Sequence, residues 1–374
     1  MWDVAVVGAG PAGSAAALAA LRARPGARVL LLDRHDFPRD KACGDGIAPH
    51  ALDELARLGV ADVLADRVPV RRLRLTAPDG TVAARTVQRP NYVVPRELLD
   101  ARLVDAAVRA GAVLEQRTVR RLEVRPDRVV LDGEVAARVV VGADGANGVV
   151  RRQLGLARQP AEATAVAVRG YAAAPPGEPE QVIVLSPRDW PAYAWSFAAG
   201  DGTANVGFGM LLPALRATSR GGREELHAGL AELLPGVQAE RLVSHHLPLS
   251  SARPEQPPGR VLLAGDALSL INPLTGEGIF YALLSGRLAG VAAFTDDPGS
   301  AYARALHREL GQHLRHTTLL ARVSQRRGVV DAGIGASARS ARSFHALVEL
   351  GLGRGLITAP LVTGLVREVV RRRF

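Results

Sequence analysis

Apolar residues gather in short dense runs at four places: Trp2 to Val7, the ARVLLLD segment ending at Asp33, Ala137 to Val141, and RVLLAGDA from Arg260. Each run is strand-length and nearly free of polar residues, the pattern of a parallel strand buried on both faces. Between the first two lie a glycine-rich turn, GAGPAG, and an Ala/Leu-rich stretch from Ser14 to Arg24 with helical character. Strand, turn, helix and strand in that order open a doubly wound parallel sheet. From Arg71 to Pro95 the pattern changes to alternating, turn-punctuated segments that read as antiparallel strands, and Arg96 to Gly111 reads as an amphipathic helix. A β-meander leads into the run at Ala137. Residues 158–254 hold strand-like QVIVLS, YAWSFA and TANVGFGM, and beyond Glu277 the chain is mostly helical.

The expected fold class is therefore mixed α/β. A Rossmann-like parallel-sheet domain (1–70, 96–157 and 255–300) is interrupted by an antiparallel-sheet domain (71–95 and 158–254) and followed by a helical region (301–374). Composition fits a folded chain, with 48% hydrophobic and 22% charged residues among 374. The net charge of +10 favours anionic partners such as phosphates, acidic proteins or membrane surfaces. One cysteine excludes an intrachain disulfide, and no Cys/His cluster has metal-site spacing, so no metal is expected. The chain enters its first strand without a cleavable signal, and no stretch approaches the roughly 20 apolar residues that span a bilayer. A cytoplasmic chain, with no nucleic-acid partner, is the expectation.

Candidate chemistry begins at Gly8-Ala9-Gly10-Pro11-Ala12-Gly13, with Asp33 twenty residues beyond the last glycine. The first glycine permits the tight turn, the second lets the backbone approach a pyrophosphate, and the third lets helix and strand pack closely. The helix N-terminus then faces the phosphates with unpaired N–H groups. Asp33 suits an adenosine ribose and would repel a 2′-phosphate, despite its neighbour Arg34. The fingerprint alone does not separate NAD from FAD.

Two later segments, VVVGADGANGVVRR and RVLLAGDALSLINPLTGEGI, each end an apolar strand with an Asp in a glycine turn. With them the sequence resembles the FAD-dependent oxidoreductases of aromatic-hydroxylase type, although Gly148 stands where those proteins usually have Ser. The resemblance implies bound FAD, with Asp266 on the ribityl chain, and Asp144, Arg96 and Val119 completing the set around the fingerprint. It also implies that a helix begun by Pro273, Gly276, Gly278 and Ile279 aims its N-terminus at the flavin pyrimidine. Reduced flavin is anionic near N1 and C2=O, and a helix N-terminus stabilises that charge.

Within that superfamily the chain is most similar to the geranylgeranyl reductase family, on three segments. FPRDKACGDGI carries the only lysine and the only cysteine, Lys41 and Cys43. PAYAWSFAAGDGTANVGFGM is similar to a tunnel-lining stretch, with Ala198 replacing the usual Pro, and INPLTGEGIFYAL is the third. The likeness implies that Gly44 and Gly46 run flat against the flavin with Cys43 at its edge and Lys41 supplying charge. Tyr193, Trp195 and Phe197, on one face of a strand, with Gly207, then wall an isoprenoid site; without the likeness they read rather as core between sheet and helices. The implied function is saturation of C=C bonds in an isoprenoid or other hydrophobic substrate by hydride from reduced FAD, with Cys43, Tyr193 or water giving the proton. A single fingerprint leaves the electrons to transient NAD(P)H or a protein such as ferredoxin.

Other readings are a flavin monooxygenase that hydroxylates or epoxidises a hydrophobic substrate, and a non-catalytic flavoprotein or lipid carrier. A halogenase needs a lysine between its flavin and substrate sites, whereas Lys41 lies in the flavin-binding segment. His245 and His246 face opposite ways on a strand and do not suit one metal. GLGRG near residue 351 lacks a preceding strand and reads as a helix turn. The tail LVTGLVREVVRRRF forms a basic, partly amphipathic helix able to make peripheral contact with anionic lipid.

Overall fold

The fold is that of a computed structural model, which describes residues 1–188, 191–219 and 221–373. The chain opens with β1 (Trp2–Val7), α1 (Pro11–Ala23) and β2 (Val29–Asp33), followed by β3 (Gly46–Ile47), α2 (Pro49–Arg57), β4 (Val70–Thr76), β5 (Val82–Val93) and α3 (Arg96–Arg109). Next come β6 (Val113–Gln116), β7 (Leu122–Val124), β8 (Val129–Leu131), β9 (Val135–Gly142) and α4 (Val149–Gln153). The middle of the chain supplies β10 (Thr164–Ala173), β11 (Glu180–Leu185), β12 (Ala192–Ala198), β13 (Thr203–Leu211), α5 (Leu212–Ala217), α6 (Gly222–Leu233) and β14 (Glu240–Pro248). After β15 (Val261–Leu263) the chain is helical: α7 (Ile279–Ala292), α8 (Pro298–Val323), α9 (Arg327–Arg339), α10 (Ala341–Leu352) and α11 (Ala359–Arg373).

Two sheets organise these elements. The first runs β6-β2-β1-β9-β8-β7, with β15 also on β9; β6, β2, β1, β9 and β15 are parallel neighbours, and β7 and β8 form the antiparallel meander. β2 is fully buried, and the apolar cores of β1 (Val4–Val7) and β9 (Val139–Gly142) are too, as their dense apolar runs require. Helices α1 and α7 cross beneath it in close contact. A Cβ on Gly286 would stand 2.0 Å from the Ala12 carbonyl oxygen and one on Gly290 2.3 Å from that of Ala16, so the two glycines set the approach. α1 begins at Pro11 rather than Ser14, since proline suits the first helical position.

The second sheet has the order β14-β10-β13-β12-β11-β4-β5-β3. It is mixed rather than purely antiparallel: Glu180 to Val184 of β11 pair with Arg72 to Thr76 of β4 in parallel. These strands come from segments separated by much of the first sheet, so no hairpin dictates their direction. It also recruits Gly46 and Ile47 of β3, paired to Val93 and Tyr92, a strand too short to show periodicity. Pro90 lies where the β4–β5 ladder skips from Asn91 to Thr86, the interruption a strand proline needs. The C-terminal helices α9 to α11 pack over this sheet, with Ile334 and Phe344 buried against Leu73, Ala83 and Val87. Among the described residues no helix is long and apolar enough to cross a membrane.

Candidate active site

At the end of β1, Gly8 adopts φ +99°, and a Cβ there would meet the Ala143 carbonyl at 2.4 Å. A Cβ on Gly13 would stand 1.8 Å from the Gly8 carbonyl oxygen, so helix and turn close only around glycine. Ala12, buried beside them, touches the turn at Gly265. Above Gly10, the N-cap of α1, two guanidiniums converge: Arg39 and Arg96 both lie 3.6 Å from where its Cβ would be. Buried Arg96 holds Asp100 in a bidentate pair at 2.7 Å, and Arg39 joins Asp100 at 3.0 Å. A helix N-terminus facing two arginines is an anion cradle. Arg39 is absent from the sequence-derived set, because one arginine in an arginine-rich chain gives no signal.

Asp33, at the end of β2, accepts from the backbone N–H of Ala9 at 2.8 Å and of His35 at 3.0 Å. Arg34 is exposed and bonds the His35 ring. Val119 is buried in the core cluster, in the loop after β6, the strand that flanks β2. Asp144 accepts from Val150 N–H at 3.0 Å while its other oxygen is buried without a partner. A Cβ on Gly148 would fall 2.1 Å from that oxygen, so this arrangement has no room for the serine usual at 148.

Farther along the cleft, Lys41 reaches across to Asp266 at 3.4 Å. Burial alone would raise the Asp266 carboxyl, but Lys41, with His245 and Arg96 behind it, outweighs burial and holds it below the usual range. His245 faces the cleft, is driven down to about 4 by burial and by Lys41, and keeps a buried Nε2 without a partner. Its neighbour His246 points outward. Among the described residues no three His, Cys, Asp or Glu side chains could hold a metal.

The Cys43–Gly46 loop rests on the aromatic strand. A side chain on Gly44 would meet Trp195 and Phe197 at 3.5 Å. Burial pushes the Cys43 thiol up, so it is protonated. Asp45, wholly buried at φ +59°, accepts from Tyr171 Oη at 2.6 Å and Asn205 Nδ2 at 2.8 Å, and Asn205 in turn accepts from Trp195 Nε1 at 2.8 Å. Sequence reading passes over Asp45 because its partners lie more than a hundred residues away.

From this loop a cavity of about 630 Å³ extends along the inner face of the second sheet to the C-terminal helices. Tyr193, Trp195 and Phe197 line it together, joined by Ile183, Ile334 and Leu361 farther out. Gly207 lies under the Trp195 indole and makes room for it, whereas Gly209 faces the cavity. The Tyr193 hydroxyl donates to the Thr275 carbonyl, so its proton is committed to the loop 272–278. That loop carries Pro273 and Gly276; α7 starts only at Ile279, with Gly278 as its N-cap, later than the expected start at Pro273. Burial pushes Glu277 up to about 7, while its Oε1 accepts from Phe280 N–H at 2.9 Å. GLGRG, at the end of α10, docks here: Asn272 donates to the Leu350 carbonyl and Thr275 Oγ1 to that of Gly351.

A strand-turn-helix anion cradle, the Asp33 carboxylate at the end of the second strand, and a second helix N-terminus opening on an apolar cavity fit FAD. The protein is an FAD-dependent oxidoreductase. Residues 1–194 match the FAD binding domain family. The chain is 38% identical over 309 residues to the menaquinone reductase of Mycolicibacterium smegmatis, covering 77% of this chain and 75% of that one. It is 35% identical over 322 residues to digeranylgeranylglycerophospholipid reductase 1 of Methanopyrus kandleri, covering 80% and 83%. The chain belongs to the geranylgeranyl reductase family of flavoproteins. The fold also matches a geranylgeranyl bacteriochlorophyll reductase-like protein of Thermoplasma acidophilum, with TM-score 0.79, 20% identity and 99% and 98% coverage. A flavin-dependent brominase shares it at TM-score 0.70 and 18% identity.

Proposed function

We propose that this protein saturates C=C bonds in the prenyl chain of a lipid or quinone. One observation carries the reading: the apolar cavity begins at the Cys43–Gly46 loop and the α7 N-terminus, where isoalloxazine would lie, and runs on between sheet and helices. Relatives named for menaquinone and for a digeranylgeranyl lipid both act on prenylated molecules, which supports the same substrate class. In this reading residues 1–70, 96–157 and 255–300 hold the cofactor, 71–95 and 158–254 hold the substrate, and 301–374 close the cavity.

Bound and reduced, FAD supplies the hydride chemistry. The chain does the rest. Arg39, Arg96 and the α1 N-terminus would hold the pyrophosphate, Asp33 the ribose, and Asp266 the ribityl chain. Trp195 and Phe197 orient the alkene and keep water out. Tyr193 fixes the loop 272–278 instead of donating a proton, and Cys43 packs at the flavin edge with its thiol protonated. Lys41 balances Asp266, which does not suit the catalytic lysine of a halogenase. With one nucleotide fingerprint in the chain, electrons come from transiently bound NAD(P)H or from ferredoxin.

In this reading the substrate enters from a membrane surface at the cytoplasmic side, through a mouth on the part of the cavity that α8 and α11 both help to line. Val362 both lines the cavity and is exposed, and Leu319 and Val323 of α8 and Val366 and Val370 of α11 are further exposed apolar residues on the same two helices. Arg322 at the mouth and exposed Arg367 add positive charge, whereas Arg371 and Arg372 are held by Glu368; Phe374, at the end of the tail, lies outside the described residues. Incubating dithionite-reduced protein with geranylgeranyl lipids and prenylated quinones should give products heavier by two hydrogens per saturated bond. Absence of such products, with oxygen consumed in proportion to an oxygenated product, would establish a monooxygenase instead.

A further inference from the structure

Asp45 is a side chain to which the cofactor scheme above gives no task. It is wholly buried beside Cys43 and lines the cavity at the place where Gly44, Trp195 and Phe197 meet. Its Oδ2 is saturated, accepting from Tyr171 and from Asn205. Its Oδ1 has no partner in the protein. A buried carboxylate oxygen left bare is costly, but the same oxygen carrying a proton is a donor waiting for an acceptor. Since Oδ2 already receives two donors, the proton of the neutral acid resides on Oδ1.

Resting on the function proposed above, we propose that Asp45 is the general acid of the reaction and delivers its Oδ1 proton to the alkene carbon that does not receive the hydride. Reduced FAD, when bound, would supply the hydride for one C–H bond. The π-electron pair takes the proton from Oδ1 to form the other, the O–H bond breaks, and a carboxylate remains. Tyr171 and Asn205 then stabilise that anion through Oδ2, with Arg169 and Arg96 nearby. Water refills the emptied cavity and restores the proton.

The groups around Asp45 tune it. Burial raises its pKa to about 6, against the hydrogen bonds of Tyr171 and Asn205 and the charges of Arg169 and Arg96; Cys43 is the remaining titratable neighbour. Arg169 lies over the Tyr171 ring at 4.7 Å and pairs with Asp40 at the surface, which fixes the Tyr171 hydroxyl on Oδ2. Burial pushes the Cys43 thiol up from its ordinary value, so it is a poorer acid than Asp45.

The test uses full-length protein and two readouts. Infrared spectroscopy of the protein across pH 4 to 8 should show a carboxylic-acid band titrating near pH 6 and missing in Asp45→Asn. Anaerobic reoxidation of the reduced, FAD-loaded protein by a geranylgeranyl lipid should slow as pH rises through that midpoint. Asp45→Asn should be slower by roughly 100-fold and lose the pH dependence, while Cys43→Ala should keep it. Tyr171→Phe removes a hydrogen bond that lowers the Asp45 pKa, so its slowing should move to higher pH; this variant decides the matter should Asp45→Asn not fold. Unaltered pH dependence in Asp45→Asn or Tyr171→Phe, its loss in Cys43→Ala, or absence of the titrating band overturns the assignment. If wild-type protein transfers no hydride to any prenyl substrate, the proposed function itself falls.

Discussion

A Cβ on Gly207 would stand 2.2 Å from Cζ2 of Trp195 and 2.4 Å from the Val168 carbonyl oxygen. Neither can yield without moving the wall of the cavity. Gly207→Ala should therefore destabilise the protein by about 1–3 kcal/mol in denaturant unfolding and raise KM for the prenyl substrate while FAD is retained; an unchanged KM would remove Trp195 from the wall. Glu277 offers a second residue-level test. Its folded pKa, about 7, lies above the ordinary value near 4.5. Its contribution to stability is thus full below the unfolded value and lost as pH rises through about 7. Glu277→Gln should gain in melting temperature over wild type at pH 8 more than at pH 5, and an equal difference at both would show that the carboxyl is not desolvated.

Among the elements, α11 depends on one carboxylate. Glu368 is buried and accepts from Arg339 of α9 and from Arg371 and Arg372 of its own helix, which holds its carboxyl well below the usual range. Arg372 also reaches Asp79 in the β4–β5 turn. Glu368→Gln should raise hydrogen exchange across residues 359–373 while leaving α1 protected; unchanged exchange would mean that apolar packing alone seats the helix. The elements most legible in the sequence are those whose burial is two-sided. β1, β2 and β9 announce themselves by unbroken Val/Leu runs, and Gly8, Gly13 and Asp33 by their spacing. β3 is not legible, since two residues carry no period, and the parallel β4–β11 pairing is a long-range choice. In the site, the role of Asp45 is not legible in FPRDKACGDGI, because Tyr171 and Asn205 reach it only through the fold. In the sequence His245 stands out only as half of an adjacent pair unsuited to one metal, and its place beside Lys41 and Asp266 again comes from tertiary contact.

At the scale of the molecule, one cavity is lined both by the Cys43–Gly46 loop with the start of α7 and by residues of α8 and α11 such as Arg322 and Val362. In the proposed function, a long apolar chain would reach the flavin through this cavity while its other end stays in a bilayer. The net charge of +10 and the exposed valines of α11 suit an anionic surface. Wild-type protein should sediment with vesicles containing anionic lipid, less so at high salt, and Val366→Glu should weaken that binding; equal binding to neutral vesicles would contradict the charge component. The most direct test of the whole account is to mix reduced, FAD-loaded protein with a prenylated quinone or geranylgeranyl lipid in the absence of oxygen and follow the flavin absorbance. The account predicts reoxidation at a rate that depends on substrate concentration, with one bond saturated per flavin oxidised. A flavin that stays reduced until oxygen is admitted would contradict it.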